Sequence, residues 1–140
     1  MRRIDKIIVH CAATPEGKDY TVAQIRQWHL KRGFKDIGYH YVIYRDGSIH
    51  AGRPVAMAGA HCAGYNAHSI GICYIGGVEK DGKTAKDTRT EAQKASLTSL
   101  LKRLHTLYPN ATLHGHREFA KKACPSFDVH KDYNYIFQLK

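Results

Sequence analysis

The 140-residue chain has four prolines, two methionines, one tryptophan and no CxxC pair among its four cysteines. The missing CxxC excludes finger-type zinc spacing and thioredoxin-like redox chemistry. Its apolar runs are short: Ile7-Ile8-Val9 is far below the roughly 20 residues of a membrane span, so no membrane insertion is expected. The Met1-Arg2-Arg3 start leads into Ile4, Asp5 and Lys6 without an apolar stretch. No secretory signal is visible, so synthesis in the cytoplasm and reduced thiols are expected. Acidic residues are scarce, with 12 Asp+Glu against 22 Lys+Arg, a net charge of +10, and ten histidines besides. That imbalance predicts an anionic partner, for which nucleic acid, an acidic glycopolymer and anionic lipid all qualify. With 43% apolar residues, the chain can bury the core of one domain spanning 1–140.

Ile4 to His10 is apolar and β-branched, the pattern of a strand buried on both faces. Thr14 to Tyr20 reads as a loop. Thr21 and Gln24 have capping-box spacing, and Val22, Ile25, Trp28 and His29 form one helical stripe that Gly33 ends. Gly38 to Arg45, Asp46-Gly47 and Ser48 to His50 predict a hairpin with a two-residue turn. Residues 52–67 are rich in Gly, Ala and His without period, as in a long surface loop, and Ser69 to Ile75 is a second central strand. Glu79 to Arg89 reads as an exposed excursion. Thr90 and Gln93 repeat the capping box ahead of Leu97, Leu100, Leu101, Leu104, Leu107 and Tyr108, and Pro109 ends that helix. Ala111 to His114 is a short strand, and a last helix is expected from Lys131. Strands alternating with helices, plus one hairpin, imply an α/β fold with a mixed central sheet flanked by helices.

Among the histidines, His10 ends a buried strand, where α/β proteins place their sites. His114 and His116 end another strand, and Cys124 follows eight residues after His116. Zinc accepts imidazole nitrogen and thiolate, and a catalytic site keeps three protein ligands with one open position. Spacing alone leaves His114 and His116 as alternatives.

Ile8-Val-His-Cys-Ala-Ala-Thr14, Gly38-Tyr-His-Tyr41 and His116-Arg-Glu-Phe-Ala-Lys-Lys-Ala-Cys-Pro-Ser-Phe-Asp128 resemble the zinc N-acetylmuramoyl-L-alanine amidases of the amidase-2 and peptidoglycan recognition protein superfamily. Arg45-Asp-Gly47, Ala51-Gly-Arg53, Gly64-Tyr-Asn66 and Ser69-Ile-Gly71 match in order, so the likeness runs from about residue 4 to 130. The resemblance implies one Zn2+ per chain on His10, His116 and Cys124, with Tyr39 and Lys122 catalytic. It implies hydrolysis of the amide between N-acetylmuramic acid and L-alanine of peptidoglycan. His61, Asn66 and His68 are candidate substrate contacts in the 52–68 loop, and Asp128 a candidate carboxylate holding a ligand in place. Non-catalytic relatives typically lose the cysteine ligand, so Cys124 favours an enzyme over a binding module of the same fold. The setting implied is a phage or prophage lysis enzyme released to the wall by a partner such as a holin, with a toxin-type wall hydrolase as alternative. A monomer is expected, and no recognition-helix or RNA-binding pattern supports a nucleic-acid partner.

Overall fold

Side chains alternate along a strand, so Lys6–Cys11, strand β1, sends Ile7, Val9 and Cys11 to one side and Ile8 and His10 to the other. The computed structural model describes residues 2–137. The remaining elements are β2 (Thr14–Pro15), α1 (Val22–Lys31), β3 (Tyr41–Ile43), β4 (Ile49–Ala51), β5 (Ser69–Tyr74), β6 (Gly77–Val78), α2 (Glu91–Leu107), β7 (Thr112–Gly115) and α3 (Val129–Phe137). The main sheet runs β4-β3-β5-β1-β7, with β4 antiparallel to β3 and the other pairings parallel. This is the expected mixed sheet.

Ile7, Val9, Ile70, Ile72, Tyr74 and Leu113 pack on α2 through Leu97, Leu100, Leu101 and Leu104, and on α3 through Val129, Tyr133 and Ile136. Each buried aliphatic side chain contributes about 1.5–3 kcal/mol, so this face carries much of the stability. The opposite face is thinner, with Ile25 of α1 packing on Ile37, Val42 and Ile75. Both capping boxes form, at Thr21 with Gln24 and at Thr90 with Gln93.

Five local expectations are corrected. Thr14–Pro15 is a strand, paired with Gly77–Val78, because the chain returns alongside it and Gly76 O and Val78 O accept from Thr14 N and Glu16 N. The hairpin connection is longer than two residues: Tyr44 N donates to Ser48 O, and of Asp46 and Gly47 only Gly47 has positive φ (+89°). Trp28 lies 38% exposed against Tyr20, because α1 buries only Ile25 and His29 fully, with Val22 packed beside them. Helix α3 begins at Val129, two residues before Lys131. Arg89 is buried at the end of the supposed excursion, paired with Asp87 and Asp132, bonded to the Tyr133 hydroxyl and 3.5 Å over the Phe127 ring. Four partners offset the desolvation of that guanidinium and tie α3 to the segment before α2.

Candidate metal centre and active site

Three segments converge at the C-terminal ends of β1 and β7. Val9 lies opposite Gly115 in register, so His10 and the turn His116–Glu118 leave the sheet side by side. Their imidazole centroids are 4.4 Å apart. Cys124 arrives from the loop before α3, which is pinned at several points. Arg117 N donates to Cys124 O, the Tyr74 hydroxyl to Pro125 O, and Ser126 Oγ to Gly77 O. Cys11 N points at Cys124 Sγ at 3.2 Å, and His10 Nδ1 lies 3.9 Å from the same sulfur. The ligand atoms of His10, His116 and Cys124 all lie within 4.8 Å of one another. His114 is turned outward to Thr112 and Glu118, which decides between the two histidines in favour of His116.

Burial pushes the His10 pKa well below its ordinary value, helped by the charges of His61, His116 and Lys122; burial and Lys122 also lower His116. Both imidazoles are therefore neutral at pH 7 and offer lone pairs. A hydrogen bond shared with Cys11, together with burial, pushes the Cys124 thiol up. Two neutral imidazoles and one thiol form a donor set that suits zinc, with a fourth position left open. Beside His116 lies a cleft of about 470 Å³ whose lining includes Arg32, His61, Asn66, Phe119 and Lys122.

The Amidase_2 family, described as N-acetylmuramoyl-L-alanine amidase, matches residues 1–127. The chain belongs to that family. It is 48% identical over 125 residues to an endolysin of Escherichia phage T7, covering 89% of this chain and 82% of that protein. The N-acetylmuramoyl-L-alanine amidase LysC from Clostridium intestinale URNW superimposes with a TM-score of 0.80 at 28% identity, over 94% of this chain and 83% of that one. The ectodomain complex of peptidoglycan recognition proteins LCa and LCx, solved with tracheal cytotoxin bound, has a TM-score of 0.74 at 28% identity, over 89% and 77%. The chain is thus an amidase that hydrolyses the bond between N-acetylmuramic acid and L-alanine in the bacterial cell wall.

The other expected residues fall in different places on the amidase. Tyr39 sits beside the centre, its ring 5.1 Å from that of His10. It precedes β3 and packs toward α1, while Tyr41 packs toward α2. Burial raises the Tyr39 pKa well above its ordinary value, so its hydroxyl keeps its proton. Neighbouring His40 is structural, accepting from Gly71 N and bonding Met57 O. Lys122 is exposed on the cleft wall.

His61 has a role that sequence reasoning missed. It is buried, with Nδ1 2.8 Å from His10 Nε2 and Nε2 3.1 Å from Ser69 Oγ. Both ring nitrogens are engaged within the protein, while the residue also lines the cleft. A Cβ on Gly71 would come within 2.6 Å of the His61 ring, so only glycine admits it. The signal lay in β5, where small Ser69, Gly71 and Cys73 alternate with Ile70, Ile72 and Tyr74 and leave a trough for a ring.

Asn66 lines the cleft and holds the loop, its Oδ1 accepting from His61 N and Cys62 N. His68 lies outside this cleft, exposed and bonded to Arg3 O. Asp128 is corrected. Its carboxylate is exposed and caps α3 by accepting from Lys131 N, with no bond to His10, His116 or Cys124 among the described residues.

Proposed function

We propose that the amidase is a zinc enzyme in which His10, His116 and Cys124 hold one Zn2+ per chain, and that residues 1–140 act as one catalytic domain. The observation that carries this is the convergence of those three side chains from segments far apart in sequence. Bound there, zinc polarises the scissile carbonyl and lowers the pKa of water, the two deficits that make amide hydrolysis slow. Lys122, on the cleft wall, donates hydrogen bonds to the oxygen that becomes negative as water attacks. Tyr39, protonated beside His10, orients the attacking water through its hydroxyl. Asn66 presents its amide nitrogen to the glycopeptide from the same wall.

His61 positions His10. For His10 Nδ1 to face Cys124 with a free lone pair, the ring proton must sit on Nε2 and be donated to His61 Nδ1. His61, with its pKa lowered to about 3 by burial, is neutral and passes its own Nε2 proton toward Ser69 Oγ. His61→Ala is expected to weaken zinc binding by about 10–100-fold. Competition against a chelator measures this, and an unchanged affinity would remove the positioning role.

Loading also carries a proton signature. The imidazoles are already neutral at pH 7, whereas the Cys124 thiol shares a proton with Cys11, whose pKa falls to about 7, so each zinc displaces up to about one proton from the pair. Affinity therefore rises with pH through neutrality. Calorimetry in buffers of different ionisation enthalpy counts the protons; none released would contradict the thiol assignment.

The setting proposed is that of the endolysin relatives, a phage or prophage lysis enzyme acting on peptidoglycan as a monomer. No described helix is long and apolar enough to cross a membrane. Digestion of purified peptidoglycan with mass analysis tests the reaction. Stem peptides beginning with L-Ala are expected, lost with a chelator and restored by zinc; disaccharide release would contradict it.

A further inference from the structure

A second donor cluster lies on the outer side of β7. His114 Nδ1 is 2.8 Å from Glu118 Oε1, and His130 Nε2 is 3.0 Å from Glu118 Oε2. The three come from β7, from the turn that carries His116, and from the first turn of α3, so the fold and not local sequence assembles them. Their ligand atoms all lie within 4.8 Å of one another. Two of the donors are held in place by other bonds. Thr112 Oγ1 lies 2.6 Å from His114 Nε2, which turns Nδ1 toward the carboxylate, and Gly115 N donates to Glu118 Oε2 at 2.7 Å.

We propose that His114, Glu118 and His130 form a second metal site, one that takes a borderline divalent cation of the Zn2+, Co2+ and Ni2+ class. Two imidazole nitrogens and one carboxylate oxygen suit these ions, whereas Mg2+ and Ca2+ prefer all-oxygen sets. The spacing allows it. Bonds of about 2.0–2.1 Å in a tetrahedral site put ligand atoms roughly 3.3 Å apart. One ligand atom from each of the three residues lies within 4.8 Å of the others, and each imidazole reaches a different oxygen of the one carboxylate. A cation inserts by small outward shifts of the imidazoles, and the partly exposed side chains leave its remaining positions to water. The bonds held by Thr112 and Gly115 are the outer partners that orient metal ligands. A bound cation clamps α3 to β7 across the turn that bears His116, and it is separate from the His10 centre because the two share no ligand.

Equilibrium dialysis of the purified protein against Zn2+ tests the site, with His130→Ala as the informative variant. His130 is exposed at the start of α3, so its removal spares the core and the catalytic centre. Wild type is expected to saturate at two ions per chain. His130→Ala should keep one tight ion and full amidase activity, with the weaker ion bound about a hundredfold less well. Cys124→Ser should lose the tight ion and keep the one at His130. Titration with Co2+ gives a second readout: the thiolate-to-cobalt absorption belongs to the Cys124 centre and should be unchanged in His130→Ala. Wild type saturating at one ion, or His130→Ala binding two as wild type does, would overturn the second site. Neither result touches the His10 centre, whose failure shows instead as Cys124→Ser retaining the sulfur-to-cobalt band.

Discussion

Cys124→Ser and His10→Ala are expected to lose bound zinc and amidase activity together. Each of the three side chains reaches the centre from a different segment, and each supplies one donor atom of the set. Serine is nearly isosteric with cysteine, but its hydroxyl stays protonated where a thiol yields a thiolate to the metal. Structural zinc sites bind with about 10–16 kcal/mol spread over four ligands, or about 3 kcal/mol and a hundredfold in affinity for each. Activity falls further than affinity, by about a thousandfold or more, because polarisation of the carbonyl and acidification of water vanish with the ion. Metal analysis of the purified variants, beside release of stem peptides from peptidoglycan, measures both losses. Full zinc occupancy in the Cys124 variant would overturn the ligand assignment.

Lys122→Ala is expected to separate rate from metal. Lys122 is exposed, so its truncation leaves the core intact. Its positive charge is among the causes that lower the pKa values of His10 and His116, and the same field repels a bound cation. Removing it therefore leaves zinc bound as tightly or slightly more tightly. The turnover number should nevertheless drop by about 10²–10³-fold, the effect of losing one donor to a developing oxyanion, with KM little changed. A variant that loses zinc, or one that keeps its rate, would remove Lys122 from the reaction.

The cationic surplus divides on inspection of the structure. Arg89 is consumed inside the fold by Asp87, Asp132 and Tyr133. Arg2 staples the 52–68 loop by donating to Val55 O and Ser69 O, and Arg53 does so through Ile37 O and Ala58 O. These guanidinium groups satisfy carbonyls that a loop without strands cannot pair internally. Bonds to neutral carbonyls leave a guanidinium charged, so Arg2 and Arg53 combine this structural task with their share of the net +10 charge.

Much was legible beforehand because it is local. The buried apolar runs of β1 and β5, the leucine stripe of α2 and two capping boxes depend on neighbours within a few positions, and all formed. The errors share a cause. Thr14–Pro15 became a strand only because Gly77–Val78 came alongside it, and Arg89 was buried only because α3 brought Asp132 and Tyr133 to it.

The site follows the same division. Sequence by itself determined which histidine and cysteine donors were available and the order of blocks that marks an amidase, since residue type and spacing are written along the chain. Only the tertiary structure decided that His116 and not His114 faces His10, because strand register and the turn after Gly115 set which imidazole points inward. It also tied His61 to His10, sent His68 to Arg3, and left Asp128 capping a helix. A histidine carries the same two nitrogens wherever it stands, and its partners are chosen by contacts across the fold.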